Sequence, residues 1–268
     1  MPRRPTPHAA PASPPWGWAF AGMALGLVAA LVVFAPARWL TNGLAAATQG
    51  QVQLQQAQGT VWDGNAQLVL GADPAAATAL PGRVQWVLRP TGLGLALQLS
   101  APCCLQQPWT WRMGWSDEGL RVVAGDLQAN QALRLPSGLL AGLGTPWNTL
   151  ALQGDMALQT QGLSAHWQSG RLAVRGQSQL DATGMSTRLT PLSLVGSYRL
   201  DFQGGDTPRI TLQTLDGALQ LQGQGQWVAG RLQFTGEASA APGREGALAN
   251  LLNIIGRRDG ARSLIQVG

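Results

Sequence analysis

Few side chains in this sequence are suited to chemistry, and their spacing limits what they can do. The only histidines are His8 and His166. Ser-His-Asp acyl transfer needs an imidazole between nucleophile and acid. No G-x-S-x-G elbow supplies the serine, and Gly114-Trp115-Ser116-Asp117 is a poor imitation of one. Zinc needs three or four convergent ligands, which one histidine with two adjacent cysteines cannot easily provide. No phosphate loop or dinucleotide fingerprint is present. The carboxylates sit mostly at turns, as in Asp73-Pro74 and Asp216-Gly217. The expectation is a chain with no catalytic residue, no metal ligand, no cofactor and no evident small-molecule substrate.

The pair Cys103-Cys104 is the most unusual dipeptide. Outside the cytoplasm thiols tend to oxidise, and adjacent cysteines cannot staple distant segments. Three states are open to them: a strained vicinal disulfide, pairing between two chains, or a reduced and buried pair. Pro102 before them, and Pro108, Trp109 and Trp111 after them, suggest a shaped loop between strands.

These residues must be positioned by a chain of 268 residues that is 45% apolar and only 12% charged. An average soluble domain is about 25% charged. Glutamine, threonine, serine and glycine backbone must therefore keep the surface wet. All the basic residues are arginines, spread along the chain with no run beyond Arg257-Arg258. Nucleic-acid binding needs a concentrated basic stripe, so that class is excluded.

Trp16 to Phe34 carries no charge. About 20 apolar residues cross a bilayer core. Arg3 and Arg4 precede the segment, no acid occurs before Asp63, and Trp16, Trp18 and Trp39 flank it. Basic excess marks the cytoplasmic side, and aromatics favour the interfaces. Residues 1–15 read as a cytoplasmic tail, 16–36 as a single transmembrane anchor in the lipid bilayer, and the rest as periplasmic. Ala35-Pro36-Ala37 resembles a signal-peptide cleavage site, but the apolar stretch exceeds the 7–15 residues usual there, which favours an uncleaved anchor.

Beyond a short helical collar at 37–47, apolar residues alternate with polar ones. Examples are Val84, Trp86 and Leu88, then Leu93, Leu95, Leu97 and Leu99. Period-two alternation marks half-buried strands. The same pattern covers 120–127, 171–180, 192–202, 210–215, 218–226 and 231–238. Asp63-Gly64, Gly204-Gly205-Asp206, Asp216-Gly217 and Ala229-Gly230 read as turns between them. Residues 136–143 and 245–255 read as helices, the second with Leu248, Leu251, Leu252 and Ile255 on one face and Gly256 at its cap. The predicted fold is mainly β: one transmembrane helix, then antiparallel sheet modules, curved or stacked, with short helices. The expected modules are 37–144 and 145–268, the second ending in a helix.

One phrase recurs. Gly59-Thr-Val-Trp62-Asp-Gly64 is echoed around Trp167 and Trp227, each time with glycine nearby and a strand after it. The expectation is a hairpin in which Asp63-Gly64 turns the chain and Trp62 covers the end of a core.

The order of these features resembles the type II secretion system protein N family. The resemblance is carried by the anchor, PARWL at 36–40, GTVWDG at 59–64, VQWVLRP at 84–90 and LLNIIGRRDGARSLIQVG at 251–268. Its motif residues are Gly59, Trp62, Gly64, Trp86 and Pro90. It implies an inner-membrane, periplasm-facing accessory component whose partners are other type II secretion components, with no catalytic residues to carry over. The adjacent cysteines are not part of that pattern. A second reading, from the leucine-lined strands alone, is a periplasmic β-groove that handles lipid or lipoprotein in envelope biogenesis. An open apolar trough supports it and a packed interior rejects it.

Overall fold

A computed structural model describes residues 16–116, 119–168, 170–228 and 230–268. Arg3, Arg4 and the expected cytoplasmic tail lie outside the described residues, as do Asp117 and Ala229. The chain divides into two units, residues 1–35 and 36–268.

In the first unit, α1 (Trp16–Val33) is apolar on every side and long enough to cross a membrane. A helix with no polar stripe has no face to turn toward water. In the second unit, α2 (Ala37–Ala47) is the expected collar.

The rest is mainly antiparallel β, as the alternation requires. The strands of the first half are β1 (Val52–Gly59), β2 (Asp63–Leu70), β3 (Thr78–Ala79), β4 (Val84–Thr91), β5 (Gly94–Ser100), β6 (Trp109–Ser116), β7 (Gly119–Ala124) and β8 (Leu133–Pro136). Those of the second half are β9 (Gln153–Gln168), β10 (Arg171–Ser186), β11 (Gly196–Gln203), β12 (Arg209–Gly217), β13 (Leu219–Val228), β14 (Arg231–Ala240), β15 (Arg257–Asp259) and β16 (Arg262–Val267). Among the described residues they form one 16-stranded sheet, ordered β1-β2-β4-β5-β6-β7-β9-β10-β11-β12-β13-β14-β16-β15, with β3 beside β2 and β8 beside β9. Strands from both expected modules meet where Leu120–Val123 pairs with Ser164–Trp167.

The shaped loop expected between strands spans residues 101–108, while Trp109 and Trp111, read as part of its surroundings, already belong to β6. Trp109, Trp111 and Met113 alternate with polar residues and face Leu99, Leu97 and Leu95 of β5. The helix expected at 136–143 is a 3-10 helix over Ser137–Leu143. Near it α3 (Trp147–Leu150) is a single short turn. By contrast α4 (Glu245–Ile255) has the predicted bounds, and Leu248, Leu251 and Leu252 are its buried residues.

A row of apolar side chains runs across the second half. Leu133, Leu158, Leu180, Leu200 and Leu212 stand opposite one another on β8 to β12. The row continues through Gly223, Gly236 and Ile265 on β13, β14 and β16. Directly opposed residues share a face of the sheet, so this is one apolar stripe. The row's glycines make room for an aromatic ring: a Cβ on Gly223 would strike Phe234 Cζ, and one on Gly236 would stand 3.1 Å from Phe234 Cε1. A bulge keeps the stripe on one side. Arg175 faces Ser164 but Gln177 faces Gln161, so β9 carries one extra residue there. Gly162 and Gly176 take positive φ at that point, and a Cβ on Gly176 would strike the Gly162 carbonyl. The extra residue moves Ala165 and Trp167 onto the face of Thr160 and Leu158.

Helix α4 packs on the apolar face through Leu248, Leu251 and Leu252, against Val195, Leu219 and Ala238. Hydrogen bonds fix it there. The Thr190 hydroxyl donates to Ala247 O at 2.8 Å, and the buried Ser263 hydroxyl donates to Leu252 O at 2.6 Å.

Candidate functional site

The recurring phrase builds a structural corner. The turn is Thr60–Trp62, and Asp63 and Gly64 already belong to β2. Thr60 Oγ1 accepts from the backbone N–H of Trp62 at 3.2 Å and of Asp63 at 3.1 Å, which closes the turn one step earlier than the Asp-Gly signal. Side-chain oxygens of this kind stand in for a backbone turn. Gly59, at φ +86°, would drive a Cβ into the Asp63 carbonyl. Gly64 stands opposite Trp86, whose indole lies over it.

Trp86 is the deeply placed tryptophan, only 2% exposed, packed among Ala37, Ala66, Leu97 and Leu99. Its Nε1–H donates to Val61 O at 3.1 Å, tying the turn to the core. Trp62 itself is half-buried in the bend. Pro90 falls where β4 has run past the end of β2, whose pairing stops at Val87. The missing N–H of proline therefore breaks no ladder on that side. Trp167 and Trp227 differ from Trp62: both lie within strands, opposite Leu172 and Leu232.

Cys103 and Cys104 are bonded to each other in the loop between β5 and β6. Cys104 is buried with Leu80, Ala101 and Leu139, and its carbonyl accepts from Arg134 N at 2.9 Å. The sulfur pair thus belongs to a small core at the inner end of the loop.

Among the described residues no three of His, Cys, Asp and Glu converge as metal ligands. The strongest charge contact is Asp181 with Arg199, opposed on β10 and β11. Arg199 Nε and Nη2 donate to the two carboxylate oxygens at 2.7 and 3.1 Å, and Gln179 adds a third bond at 2.9 Å. The hydrogen bond to Asp181 pushes the Arg199 guanidinium above its already high value. This fork is a cross-strand brace.

Two hollows differ in kind. One is a cleft of about 520 Å³ whose lining includes Asp126, Asp201, Gln159, Gln161, Gln177 and Gln179. The other is a cavity of about 390 Å³ on the apolar face, lined by Leu180, Leu200 and Leu212 of the leucine row and bordered by α3 and α4. Leu221 joins these leucines from the sheet, and Trp147 of α3 with Leu251 and Ile254 of α4 line it from the helices. The phenol of Tyr198, the chain's single tyrosine, donates to Leu219 O at 3.1 Å, and burial pushes it well above its usual pKa. Sequence alternation marks each lining strand but cannot say that they meet. The one available signal was a lone tyrosine on an apolar parity.

Fold and site together define a class: an antiparallel β-scaffold with an apolar cavity, preceded in the chain by an apolar helix, with no metal-ligand cluster among the described residues. The family model for type II secretion system (T2SS), protein N matches residues 50–264, and the chain belongs to that family. The family is a secretion component and is not known as an enzyme. No curated protein and no solved structure matches the chain significantly.

Proposed function

We propose that this protein is an inner-membrane-anchored, periplasmic accessory component of the type II secretion machine that works by protein–protein contacts and not by catalysis. The family match over residues 50–264 carries this reading. Helix α1 supports the anchor, because a span without charge suits a bilayer core. The two sheet edges support the contacts. Edge strand β15 is three residues long and exposed throughout, with Arg257, Arg258 and Asp259, features that discourage pairing. Edge strand β1 is longer and uncharged, exposes Gln55 and Gln58, and pairs only with β2 among the described residues. Such an edge can accept a partner's strand.

The test has two arms. Deleting the gene should impair exoprotein secretion and assembly of the outer-membrane pore; an unchanged phenotype overturns the secretion role. A photo-crosslinker placed at Gln55 of the full chain should capture another secretion component in intact membranes. Capture only from positions on β15 would overturn the assignment of β1.

A further inference from the structure

We propose that the cavity beneath α4 is a binding site for a single aliphatic chain, the acyl tail of a membrane lipid or of a lipoprotein anchor. This goes beyond the contacts proposed above and does not depend on them. The first ground is chemistry. No charged side chain lines the cavity; its polar lining is Ser186, Thr187 and Tyr198. Two of these hydroxyls are already committed, Thr187 to Leu150 O and Tyr198 to Leu219 O. A ligand that needs hydrogen bonds finds little to bind, and water, which needs two to four polar partners, is poorly held. The polar cleft lined by glutamines and aspartates has the opposite character.

The second ground is size. Closely packed side chains leave few voids larger than a water molecule, so α3 and α4 leave the apolar face of the sheet incompletely covered over about 390 Å³. At about 30 Å³ for a water, a volume close to that of a methylene, the space holds about a dozen carbons in line. A partner helix fits badly, because one turn with its side chains already fills about 420–610 Å³ by the usual pitch and diameter. The third ground is access. Trp147 of α3 and Ile254 near the end of α4 both line the cavity and are 38% and 39% exposed, so its lining reaches the outside on that side. An apolar lining that reaches the outside suits a chain that enters end-on.

The test uses the full chain in living cells. Cells are fed a diazirine-bearing palmitate analogue, which enters both membrane lipids and lipoprotein anchors. After irradiation the membranes are denatured and adducts on the purified chain are mapped by mass spectrometry. Adducts are expected on the peptides carrying Leu212 and Leu251, beside any on α1. In Leu200→Trp, whose indole occupies the cavity, the cavity adducts should be lost while those on α1 persist. Ala182→Phe fills the same space from β10 and serves if the first variant does not accumulate. If neither accumulates, the wild-type map decides. Adducts confined to α1, or cavity adducts that survive filling, overturn the proposal. Adduct mass separates the sources: a small lipid on the peptide, or a protein-sized shift on a denaturing gel for a lipoprotein. Missing adducts on α1 would count against the anchor and leave the cavity result standing.

Discussion

Gly64→Ala tests whether the GTVWDG phrase is architecture. An added Cβ would stand 2.6 Å from Trp86 Cζ2, 2.7 Å from Gln58 O and 2.9 Å from Thr60 O. Two of the three obstacles are backbone, Gln58 held by the β1–β2 ladder and Thr60 by its hydrogen bonds across the turn, so neither yields cheaply. Overpacking of this kind costs about 1–3 kcal/mol. Alanine returns about 0.4–1 kcal/mol by restricting the unfolded chain, because Gly64 does not sit at positive φ. Taken at mid-range the net loss is about 1.3 kcal/mol, or roughly 3–5 °C in Tm for a body of this size. The assay is thermal unfolding of the full chain in micelles, monitored by the β signal in circular dichroism. The double variant with Trp86→Phe sharpens it. Phenylalanine lacks the ring edge that Cβ would strike, so the Gly64→Ala penalty should shrink by about 0.5–1 kcal/mol, within the range of contacting pairs. It should not vanish, since the Gln58 and Thr60 carbonyls remain. A neutral Gly64→Ala, or strict additivity with Trp86→Phe, would refute the reasoning.

Two further outcomes come from the core. Burial raises the Tyr198 pKa above its ordinary 10.0, so the unfolded chain gives up that proton first; stability is intact below pH 10 and drains as pH rises past it. The sequence holds one tyrosine and no lysine, so Tyr198→Phe should lose about 1 kcal/mol at neutral pH with its hydrogen bond but decline less steeply than wild type above pH 10 in alkaline unfolding scans. At the cysteines, denatured protein should take up no alkylating reagent until reduced. Cys103→Ala/Cys104→Ala should cost only about 1 kcal/mol in the same melts, because a bond between neighbours closes no loop of chain.

Local periodicity was enough to find what depends on near neighbours. The alternation through Val84, Trp86 and Leu88 made β4, and the i, i+3, i+4 spacing of Leu248, Leu251 and Leu252 made α4 with its bounds intact. Gly256 shows the limit of the same logic. It ends α4 as expected, but with extended backbone, and glycine is needed there because a Cβ would strike Leu264 O. Trp109–Ser116 was hidden because prolines and adjacent cysteines before it pointed to a loop, although its own side chains alternate.

By itself, then, the sequence determined the apolar first helix, the strand character of the chain beyond it and the tryptophan-and-glycine phrases, because each is written in residues a few positions apart. Tertiary structure alone decided which tryptophan is deep, where the turn falls and that leucines from β8 to β12 stand in one row. The reason is register: hydrogen bonding across strands brings Leu133 and Ile265 into the same row, and no periodicity along the chain encodes that distance. Three leucines of that row, Leu180, Leu200 and Leu212, meet in the lining of the cavity beneath α4.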